Sequence, residues 1–435
     1  METSRSATTS QSGLLMAVAF LGIFVYGLLT ALPGTVLPDL ERNKFLANDA
    51  VAGNFLFINA IGAVIAYLVS GPLTDKLGKK FTLSIGALLV IASMIAFALV
   101  VTTVAPPSAS FLIFICGLVL GLGANAIVSA GHALVGDVAT SWRDSALNLL
   151  DVFFGLGLTV LPIIKDGLKG GLGQIFWVLA AASLALLIIV VIPKFPKPAH
   201  PESFPFSDAK GLFKSPSFWL LAIALFMYVG SEVAVGKWVV NFIERDAQLL
   251  SSFGLNEQMQ ELSRTNADFF KTDALGATVE SFALRTLSWF GFALMIGRLI
   301  SSFLLGVMKM NSFVLVAIGS AICATGLSIA FNSASPEAVR WAVFISAIGM
   351  GPIFPTSVGL ASVIAPRIAG TAMSWVMGLG FCGLLVMPPA VGYISEAVGG
   401  QKGDIRTGLL AVVAATVLML LLHIVLLFRE RRRTA

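Results

Sequence analysis

The chain has 435 residues, of which 57% are hydrophobic and only 12% carry a charged side chain. Soluble globular domains usually carry about twice that charged fraction, so the composition excludes a soluble enzyme or binding module and indicates an integral membrane protein. The formal net charge is +5, but the basic residues are confined to loops and the C-terminal tail and do not predict nucleic-acid binding. The three cysteines all fall inside apolar runs and imply no disulfide or metal site.

Apolar runs of about 20 residues recur along the chain without the alternation of a strand, and they predict transmembrane helices. The twelve predicted spans lie at about 14–37, 50–70, 81–104, 109–134, 145–164, 172–192, 217–243, 285–307, 312–331, 338–365, 368–394 and 407–428. The polar residues before the first span contain no signal-cleavage motif, so this span is predicted to remain uncleaved.

The stretch between the second and third spans, GPLTDKLGKKFTL, is densely charged at fixed spacing. Glycines let helices approach closely, and lysines at a membrane edge favour the cytoplasmic side. The residues alone therefore predict a short cytoplasmic turn with one acid among cations. The stretch closely resembles the loop between the second and third helices of the major facilitator superfamily, whose pattern is G-x-L-x-D-R/K-x-G-R/K-K. The matching residues are Gly71, Leu73, Asp75, Lys76, Gly78, Lys79 and Lys80.

A weaker counterpart follows the eighth span, as expected of a transporter built from duplicated halves. It contains Gly297, Arg298, Gly306 and Lys309. An arbitrary basic turn is the alternative interpretation of the first stretch. The predicted gating-loop residues are Gly71, Asp75, Gly78, Lys79, Lys80 and Arg298.

A proline-rich segment with four lysines separates the sixth and seventh spans and predicts a cytoplasmic linker between two six-helix halves. The predicted organisation is an N-terminal bundle over residues 1–192, a linker over 193–216 and a C-terminal bundle over 217–435, with an extracytoplasmic insertion at 244–284. An even number of spans places both termini on one side. The excess of Lys and Arg on that side, including the tail RERRRTA, predicts that this side is the cytoplasm.

The insertion contains an amphipathic stretch from Asn256 to Phe270. Apolar side chains at helical spacing among charges predict a short helix that rests on the outer surface. Such a helix could cover the substrate path as a lid, or it could be a surface decoration. The sequence leaves both interpretations open.

Charged side chains at bilayer depth cost at least about 2.5 kcal/mol each on insertion scales, so each needs a reason. Asp151 lies in the fifth span, eight residues after Arg143, and therefore about 12 Å from the inner end of the helix. Asn148 and Gly155 share its face, which predicts a polar stripe turned to the protein interior. Asp151 is a candidate proton-coupling residue and Asn148 a candidate substrate ligand, and a structural ion pair is the alternative.

The seventh span carries a second acid, Glu232, which lies too deep to reach the outer interface. It is the other candidate for proton coupling. Lys237 has Asn241 one turn further on its own face, and Trp238 beside it supplies a flat ring of the sort that stacks on sugars. We predict that these three residues bind substrate, and ordinary interfacial packing of the tryptophan is the alternative.

The fourth span places Asn125, Ser129 and His132 on one face. Polar groups on a common membrane-helix face suit a hydroxyl-rich ligand, although hydrogen bonds between helices use the same pattern. His132 could share protons with Asp151 if the two spans adjoin. In spans ten and eleven, prolines and glycines interrupt the helices where backbone can line a cavity, and Thr356 and Trp375 are candidate wall residues there.

Three further stretches are similar to the fucose permease branch, the fucose–galactose–glucose:proton symporters: ALNLLDVFFGLG from Ala146, YVGSEVAVGKWVVN from Tyr228 and IFPT from Ile353. The resemblance implies an all-α integral membrane protein with twelve transmembrane helices in two pseudo-symmetric six-helix bundles, one central site and alternating access. Proteins of this branch carry acids in the first and fourth spans, where this chain has TALPGTVLP and GLGANAIVS. If protons drive transport here, the resemblance therefore leaves Asp151 or Glu232 as the carrier.

The sequence thus predicts a secondary active transporter of a monosaccharide or related small polar solute, coupled to protons. A facilitator, a sodium-coupled carrier, an exporter of another organic solute and a non-transporting sensor stay open. The chain has no H-E-x-x-H, G-x-S-x-G or phosphate-loop motif, which argues against an enzyme or an ATP-driven pump. We expect no cofactor, no metal, no nucleic acid, and a monomer in the bilayer of the bacterial inner membrane.

Overall fold

The regular structure of the described residues is entirely helical, as an apolar environment requires, because backbone groups out of reach of water must bond within their own segment. The computed structural model describes residues 2–106, 108–138, 143–168, 171–195, 212–266, 268–366, 369–400 and 403–434.

The described part of the first half of the chain forms six helices, each of which overlaps one predicted span. They are α1 (Glu2–Arg42), α2 (Asp49–Leu77), α3 (Lys79–Thr103), α4 (Ser110–Val138), α5 (Arg143–Gly167) and α6 (Gly173–Val191). A single residue, Gly78, separates α2 from α3. Its φ of 90° lies in the left-handed region that glycine adopts without strain, so the basic stretch turns at the predicted position.

The described residues of the second half form eleven helices, several of them short. They are α7 (Pro216–Arg245), α8 (Ala247–Ser252), α9 (Glu257–Thr265), α10 (Phe269–Thr272), α11 (Ala274–Gly306), α12 (Ser312–Asn332), α13 (Pro336–Met350), α14 (Ile353–Ile364), α15 (Ala369–Phe381), α16 (Met387–Gly399) and α17 (Ile405–Thr434). A 3-10 turn over Cys382–Leu385 lies between α15 and α16. The predicted interruptions of spans ten and eleven are thus present, at the breaks between α13 and α14 and between α15 and α16.

Eleven segments of the described residues are long and apolar enough to cross a membrane. The pair α13 and α14 together forms one of them, and the segment from Trp375 through α16 forms another. Helix α5, which carries Asp151, Lys165 and Asp166, is the predicted span that is not among the eleven.

The chain divides into two units. Unit 1 comprises Met1–Leu46 and Ile58–Glu202, and unit 2 comprises Ala47–Phe57 and Ser203–Ala435. The first turns of α2 therefore belong to unit 2, whereas the sequence analysis assigned all of residues 1–192 to one bundle. Residues 196–211 of the predicted linker lie outside the described residues.

Unit 1 is held by close helix contacts and aromatic packing. Helix α1 approaches α5 so closely that a Cβ placed on Gly157 would lie 2.3 Å from the carbonyl oxygen of Phe24, and only glycine permits that approach. Helix α3 packs on α6 through stacked rings of Phe97 and Phe176, whose centroids are 4.9 Å apart.

Unit 2 is tied together at the helix ends that adjoin the inserted segment. The guanidinium of Arg406, in the first turn of α17, makes two hydrogen bonds to the Asp246 carboxylate, at 2.7 and 2.8 Å. It also donates to the carbonyl oxygens of Phe331 and Ser333, each at 3.0 Å. One bidentate cation thereby joins the ends of α7, α12 and α17.

The segment between α7 and α11 is more helical than the hydropathy predicts. The predicted amphipathic helix is present as α9, whose first turn is capped by the Asn256 side chain accepting from the backbone of Met259 at 3.0 Å. Helix α11 begins at Ala274, whereas the predicted span begins only at residue 285. The segment is anchored to the end of α12 by a 2.8 Å hydrogen bond from Ser252 to the carbonyl oxygen of Ala334.

Arg298 corrects one prediction. It was grouped with the gating loop, but it lies inside α11, eight residues before the helix ends at Gly306, and only 9% of its surface is exposed. The prediction placed Arg298 at a turn because the surrounding sequence is similar to the first basic stretch. The actual turn comes later, at Val307 to Asn311, where Lys309 adopts a φ of 54°.

Candidate functional site

The two membrane acids that the sequence singled out both have a charged or ionisable partner in the structure. In unit 1, Oδ1 of Asp151 on α5 lies 4.0 Å from Nε2 of His132 on α4. In unit 2, Oε1 of Glu232 on α7 lies 4.0 Å from a guanidinium nitrogen of Arg298 on α11. Spans four and five therefore adjoin, as proton sharing between His132 and Asp151 requires.

The hydrogen bond on the far side of the His132 ring defines what faces Asp151. Nδ1 lies 2.9 Å from the carbonyl oxygen of Val128. A carbonyl can only accept, so Nδ1 carries a proton in either charge state of the ring. In the neutral ring, Nε2 therefore presents a lone pair to the Asp151 carboxylate.

Two facing acceptors repel each other unless a proton is held between them. A proton on the imidazole makes the contact an ion pair, and a proton on the carboxyl makes it a contact between two neutral groups. The side chains of His132 and Asp151 are 43% and 26% exposed. The contact therefore places two groups that can bind a proton side by side on α4 and α5.

Helix α5 turns Asp151 away from its most exposed apolar side. Leu149, Leu156 and Ile163, spaced seven residues apart, are 40–53% exposed and form one stripe. At 100° per residue, Asp151 lies roughly 120–160° around the helix from that stripe. This position agrees with the predicted inward-facing polar stripe. The side chain of Asn148 lies outside the described part of the chain.

Asn125 is held in a polar contact between α1 and α4. It is 7% exposed, its amide nitrogen donates to the carbonyl oxygen of Gly121 at 2.9 Å, and its carbonyl oxygen accepts from the Tyr26 hydroxyl at 3.3 Å. The sequence analysis did not single out Tyr26. Its signal was weak, because one tyrosine within an apolar run is usually packing.

The Glu232–Arg298 pair of unit 2 is more enclosed. The side chains are 14% and 10% exposed, and Tyr228, one turn before Glu232 on α7, is an electrostatic neighbour of both charges. The break between α13 and α14 packs against the backbone at Arg298, since a Cβ on Gly351 would lie 2.7 Å from the Arg298 nitrogen. An arginine side chain stays charged in proteins, so this pair holds Glu232 as a carboxylate.

The predicted sugar-binding group on α7 is packed into protein. Trp238 is fully buried, and its indole nitrogen donates to the carbonyl oxygen of Pro388 at 2.8 Å. Asn241 is also fully buried and accepts from Arg245 at 3.5 Å, while Lys237 is 6% exposed. In this structure the tryptophan ring contacts protein and does not offer a face for stacking.

The two predicted wall residues of the C-terminal half lie in different surroundings. The Thr356 hydroxyl is buried on α14 and has no hydrogen-bond partner among the described residues, as is also true of the neighbouring Ser357. Trp375 packs edge-on against Phe213, with ring centroids 5.1 Å apart. Because Phe213 immediately precedes α7, this contact places Trp375 near the linker end of that helix.

The basic stretch contacts the ends of α4 and α6 in unit 1. Lys79 forms an ion pair with Asp137 near the end of α4. Lys80 donates to the carbonyl oxygens of Val191 and Pro193, at 2.6 and 3.2 Å, and so satisfies the end of α6. The side chains of Gly71 and Asp75 are not among those described.

Several buried ion pairs at helix ends were missed by the sequence analysis. Asp39 accepts from Lys165 at 3.0 Å and also pairs with Arg42. In unit 2, Asp49 pairs with Arg245 and accepts from Ser395. The basic partners lie at the edges of apolar runs and resemble ordinary loop charges. The only sequence signal for these ion pairs is an acid at the corresponding edge of another apolar run.

The family model described as the Major Facilitator Superfamily matches residues 19–256. The chain belongs to the major facilitator superfamily. The expected family, the twelve-helix all-α membrane fold and a transporter in place of an enzyme are thereby confirmed.

Curated relatives of this superfamily member include two with different names. It is 22% identical over 427 residues to "Bypass of stop codon protein 6" of Saccharomyces cerevisiae, covering 89% of this chain and 78% of that protein. It is 28% identical over 264 residues to a glucose/galactose transporter of Brucella abortus, covering 54% of this chain and 60% of that protein.

Solved structures of other transporters share the superfamily fold. A D-xylose–proton symporter matches with a TM-score of 0.70 at 14% identity, over 93% of this chain and 96% of that one. The nucleoside transporter NupG matches with a TM-score of 0.71 at 16% identity, over 96% and 99%. The E. coli fucose:proton symporter matches with a TM-score of 0.60 at 16% identity, over 94% and 98%. At these identities the likeness shows the fold alone.

Proposed function

We propose that this member of the major facilitator superfamily is a proton-coupled symporter of a monosaccharide or a closely related small polar solute, working by alternating access. The observation that carries the proposal is the Asp151–His132 contact, which places two groups that can bind a proton 4.0 Å apart on α5 and α4. The glucose/galactose transporters among its relatives support a sugar as the solute.

The proton-carrying role belongs to Asp151, with His132 as its partner. Loading a proton onto this pair removes the repulsion between two acceptors, and releasing the proton restores it. A conformational change that alters the distance between His132 and Asp151, or the exposure of the two side chains, therefore changes the energy difference between the protonated and deprotonated pair. Differential stability of this kind is what couples an ion to a conformational equilibrium.

Glu232, the other candidate for proton coupling, serves a different purpose in this proposal. Its carboxylate is compensated by the permanent charge of Arg298. Protonating Glu232 would leave a buried guanidinium without its counter-ion, which is costly at low dielectric. The Glu232–Arg298 pair therefore keeps its charge through the cycle and fixes α7 against α11.

The polar groups proposed to contact the solute are Asn125 and His132, which share one face of α4 in unit 1. A hydroxyl-rich solute offers donors and acceptors that would satisfy such groups. A single tryptophan stacking platform is not part of the proposal, since Trp238 is bonded to Pro388.

We also propose the orientation that the charge distribution predicts, with both termini in the cytoplasm of a bacterial cell. Residues of the basic stretch bind the ends of α4 and α6 on one side of unit 1, and the Arg-rich tail ends α17. Lysines and arginines at helix ends favour the cytoplasmic side.

The test is uptake by the purified full-length protein in proteoliposomes. Labelled glucose, galactose, fucose and xylose are offered in turn, with a nucleoside as the comparison solute, under an imposed inward proton gradient. The proposal predicts that one or more sugars accumulate above the external concentration and that a protonophore abolishes this accumulation. Accumulation driven by sodium alone, equilibration unaffected by the gradient, or transport of the nucleoside alone would each contradict it.

A further inference from the structure

An open pocket on unit 2 lies along the first turns of α11, well before Arg298 on the same helix. It has a volume of about 370 Å³ and is lined by residues of α11 and by one arginine of α13: Ala277, Thr278, Ser281, Phe282, Arg285 and Arg340. Two of its six lining residues are cationic and two carry hydroxyl groups.

The two guanidinium groups of the pocket are electrostatic neighbours. Arg340 lies flat over the ring of Phe282, with its central carbon 3.5 Å from the ring centroid. Its one ion-pair partner among the described residues is Glu337, at 3.5 Å, whose side chain is 63% exposed. Two neighbouring guanidinium groups suit an anion with several acceptor oxygens, such as a phosphate diester.

An aromatic wall stands next to these cations. Trp289 and Trp341 make an edge-to-face contact with centroids 5.0 Å apart, and Phe344 packs against both rings. Trp341 is 51% exposed. Exposed tryptophan beside arginine is typical of the membrane–water interface, where the ring and the charge lie at the level of the lipid headgroups.

The position of Arg285 along α11 agrees with that level. It heads an exposed stripe with a seven-residue spacing, followed by Phe292 at 44% and Leu299 at 52% exposure. From Arg285 to the end of α11 at Gly306 is 21 residues, or about 32 Å, close to the thickness of a bilayer hydrocarbon core. This length agrees with a pocket at one edge of the hydrocarbon, at the head of the exposed apolar stripe of Phe292 and Leu299.

We propose that this pocket binds the phosphate-bearing headgroup of an anionic membrane phospholipid, with its acyl chains lying along the Phe292–Leu299 stripe. Arg285 and Arg340 contact the phosphate, and the Thr278 and Ser281 hydroxyls are positioned for a polyol headgroup such as that of phosphatidylglycerol. Lipid is favoured over a soluble anion because the charged end of the pocket continues into the exposed apolar stripe, which a soluble anion would leave uncovered.

The test uses native mass spectrometry and thermal melting of the purified protein in detergent with added phosphatidylglycerol, phosphatidylcholine or inorganic phosphate. The variants are Arg285→Gln, Arg340→Gln and the double variant. The matched control is Arg264→Gln, since Arg264 lies on α9 and pairs with Glu261. Arg285 is exposed, so its substitution keeps the test valid even if the packed Arg340 variant fails to fold.

We expect phosphatidylglycerol to be retained and to raise the melting temperature more than phosphatidylcholine does. Its retention should fall about fivefold for each arginine removed, which corresponds to about 1 kcal/mol per basic residue near a membrane surface, and it should be unchanged in Arg264→Gln. Equal retention by the double variant would overturn the proposal. Stabilisation by inorganic phosphate equal to that by phosphatidylglycerol would also overturn it and would indicate a soluble-anion site.

Discussion

Two contacts of this transporter, each made by an acid within a predicted span, have the same length and different chemistry. Asp151 and Glu232 each lie 4.0 Å from a basic side chain. Asp151 faces an imidazole, which can be neutral or charged, whereas Glu232 faces a guanidinium, which is always charged. The comparison teaches that the partner of a membrane carboxylate decides whether it can carry a proton, and that depth alone does not.

The degree of enclosure points the same way. The Asp151 and His132 side chains are 26% and 43% exposed, and those of Glu232 and Arg298 are 14% and 10% exposed. A proton carrier must exchange with water during the cycle, but a structural pair gains from exclusion of water, because its attraction strengthens at low dielectric. The Asp151–His132 pair is therefore the better candidate for proton exchange, and the Glu232–Arg298 pair is the better candidate for a permanent ion pair.

The largest effect is expected for Asp151→Asn. The amide cannot release a proton, so gradient-driven accumulation should fall to simple equilibration, while exchange of internal for external solute continues. Accumulation and counterflow in proteoliposomes measure the two activities. Asp166→Asn, on the same helix and outside the pair, is the matched control and should accumulate normally. Retention of full accumulation by Asp151→Asn would remove the proposed difference between the two pairs.

The next largest effect is expected for Arg298→Gln, and it concerns stability. Removing one partner of a buried ion pair typically costs about 3–5 kcal/mol. The melting temperature in detergent should therefore drop sharply, and adding Glu232→Gln should restore part of the loss. Arg264→Gln breaks a more exposed pair and should change stability by less than about 1 kcal/mol. A melting temperature unchanged in Arg298→Gln would show that the pair is not structural.

An intermediate effect is expected for His132→Asn. The carboxyl of Asp151 stays available for protonation but loses the facing ring nitrogen. Because the contact is partly exposed, we expect a loss of about fivefold in the initial rate of gradient-driven uptake. The double variant with Asp151→Asn should be no worse than Asp151→Asn alone. Independent, additive losses in uptake would argue that the two residues do not act as one unit.

The smallest effect is expected for Trp238→Phe. Trp238 lies on α7, as Glu232 does, but it belongs to neither of the two pairs. The phenyl ring fills most of the same space and loses the hydrogen bond to Pro388, so stability should decrease by about 1 kcal/mol. Solute affinity should stay the same, as measured by the concentration dependence of uptake. A large loss of affinity at unchanged stability would restore the stacking role that the sequence suggested.

The sequence predicted the helical layout well because the signal is local. A run of about 20 apolar residues must form a helix in lipid regardless of its neighbours, and Gly78 marks its turn by its own backbone freedom. The same reasoning missed the early start of α11, because residues 274–284 are helical through capping by Asp273 and packing of their neighbours, and not through hydropathy.

The pairings of charged side chains could not be predicted from the sequence, because they depend on contacts between segments that are distant along the chain. His132 and Asp151 could be named as possible partners from their faces alone, but their distance required α4 and α5 to pack. Arg298 was assigned to a loop because a motif likeness outweighed its place within a span. The partnership of Asp49 with Arg245 joins residues 196 positions apart, and neither residue is unusual at the edge of an apolar run.

The most direct measurement of the central claim is proton movement caused by solute alone. A transported sugar is added to lightly buffered proteoliposomes with no imposed gradient, and the external pH is followed. We predict that the external medium becomes more alkaline as sugar enters through the unmodified protein, and that Asp151→Asn admits sugar without any pH change. Sugar entry without proton movement in the unmodified protein, or proton movement that persists in Asp151→Asn, would contradict the account.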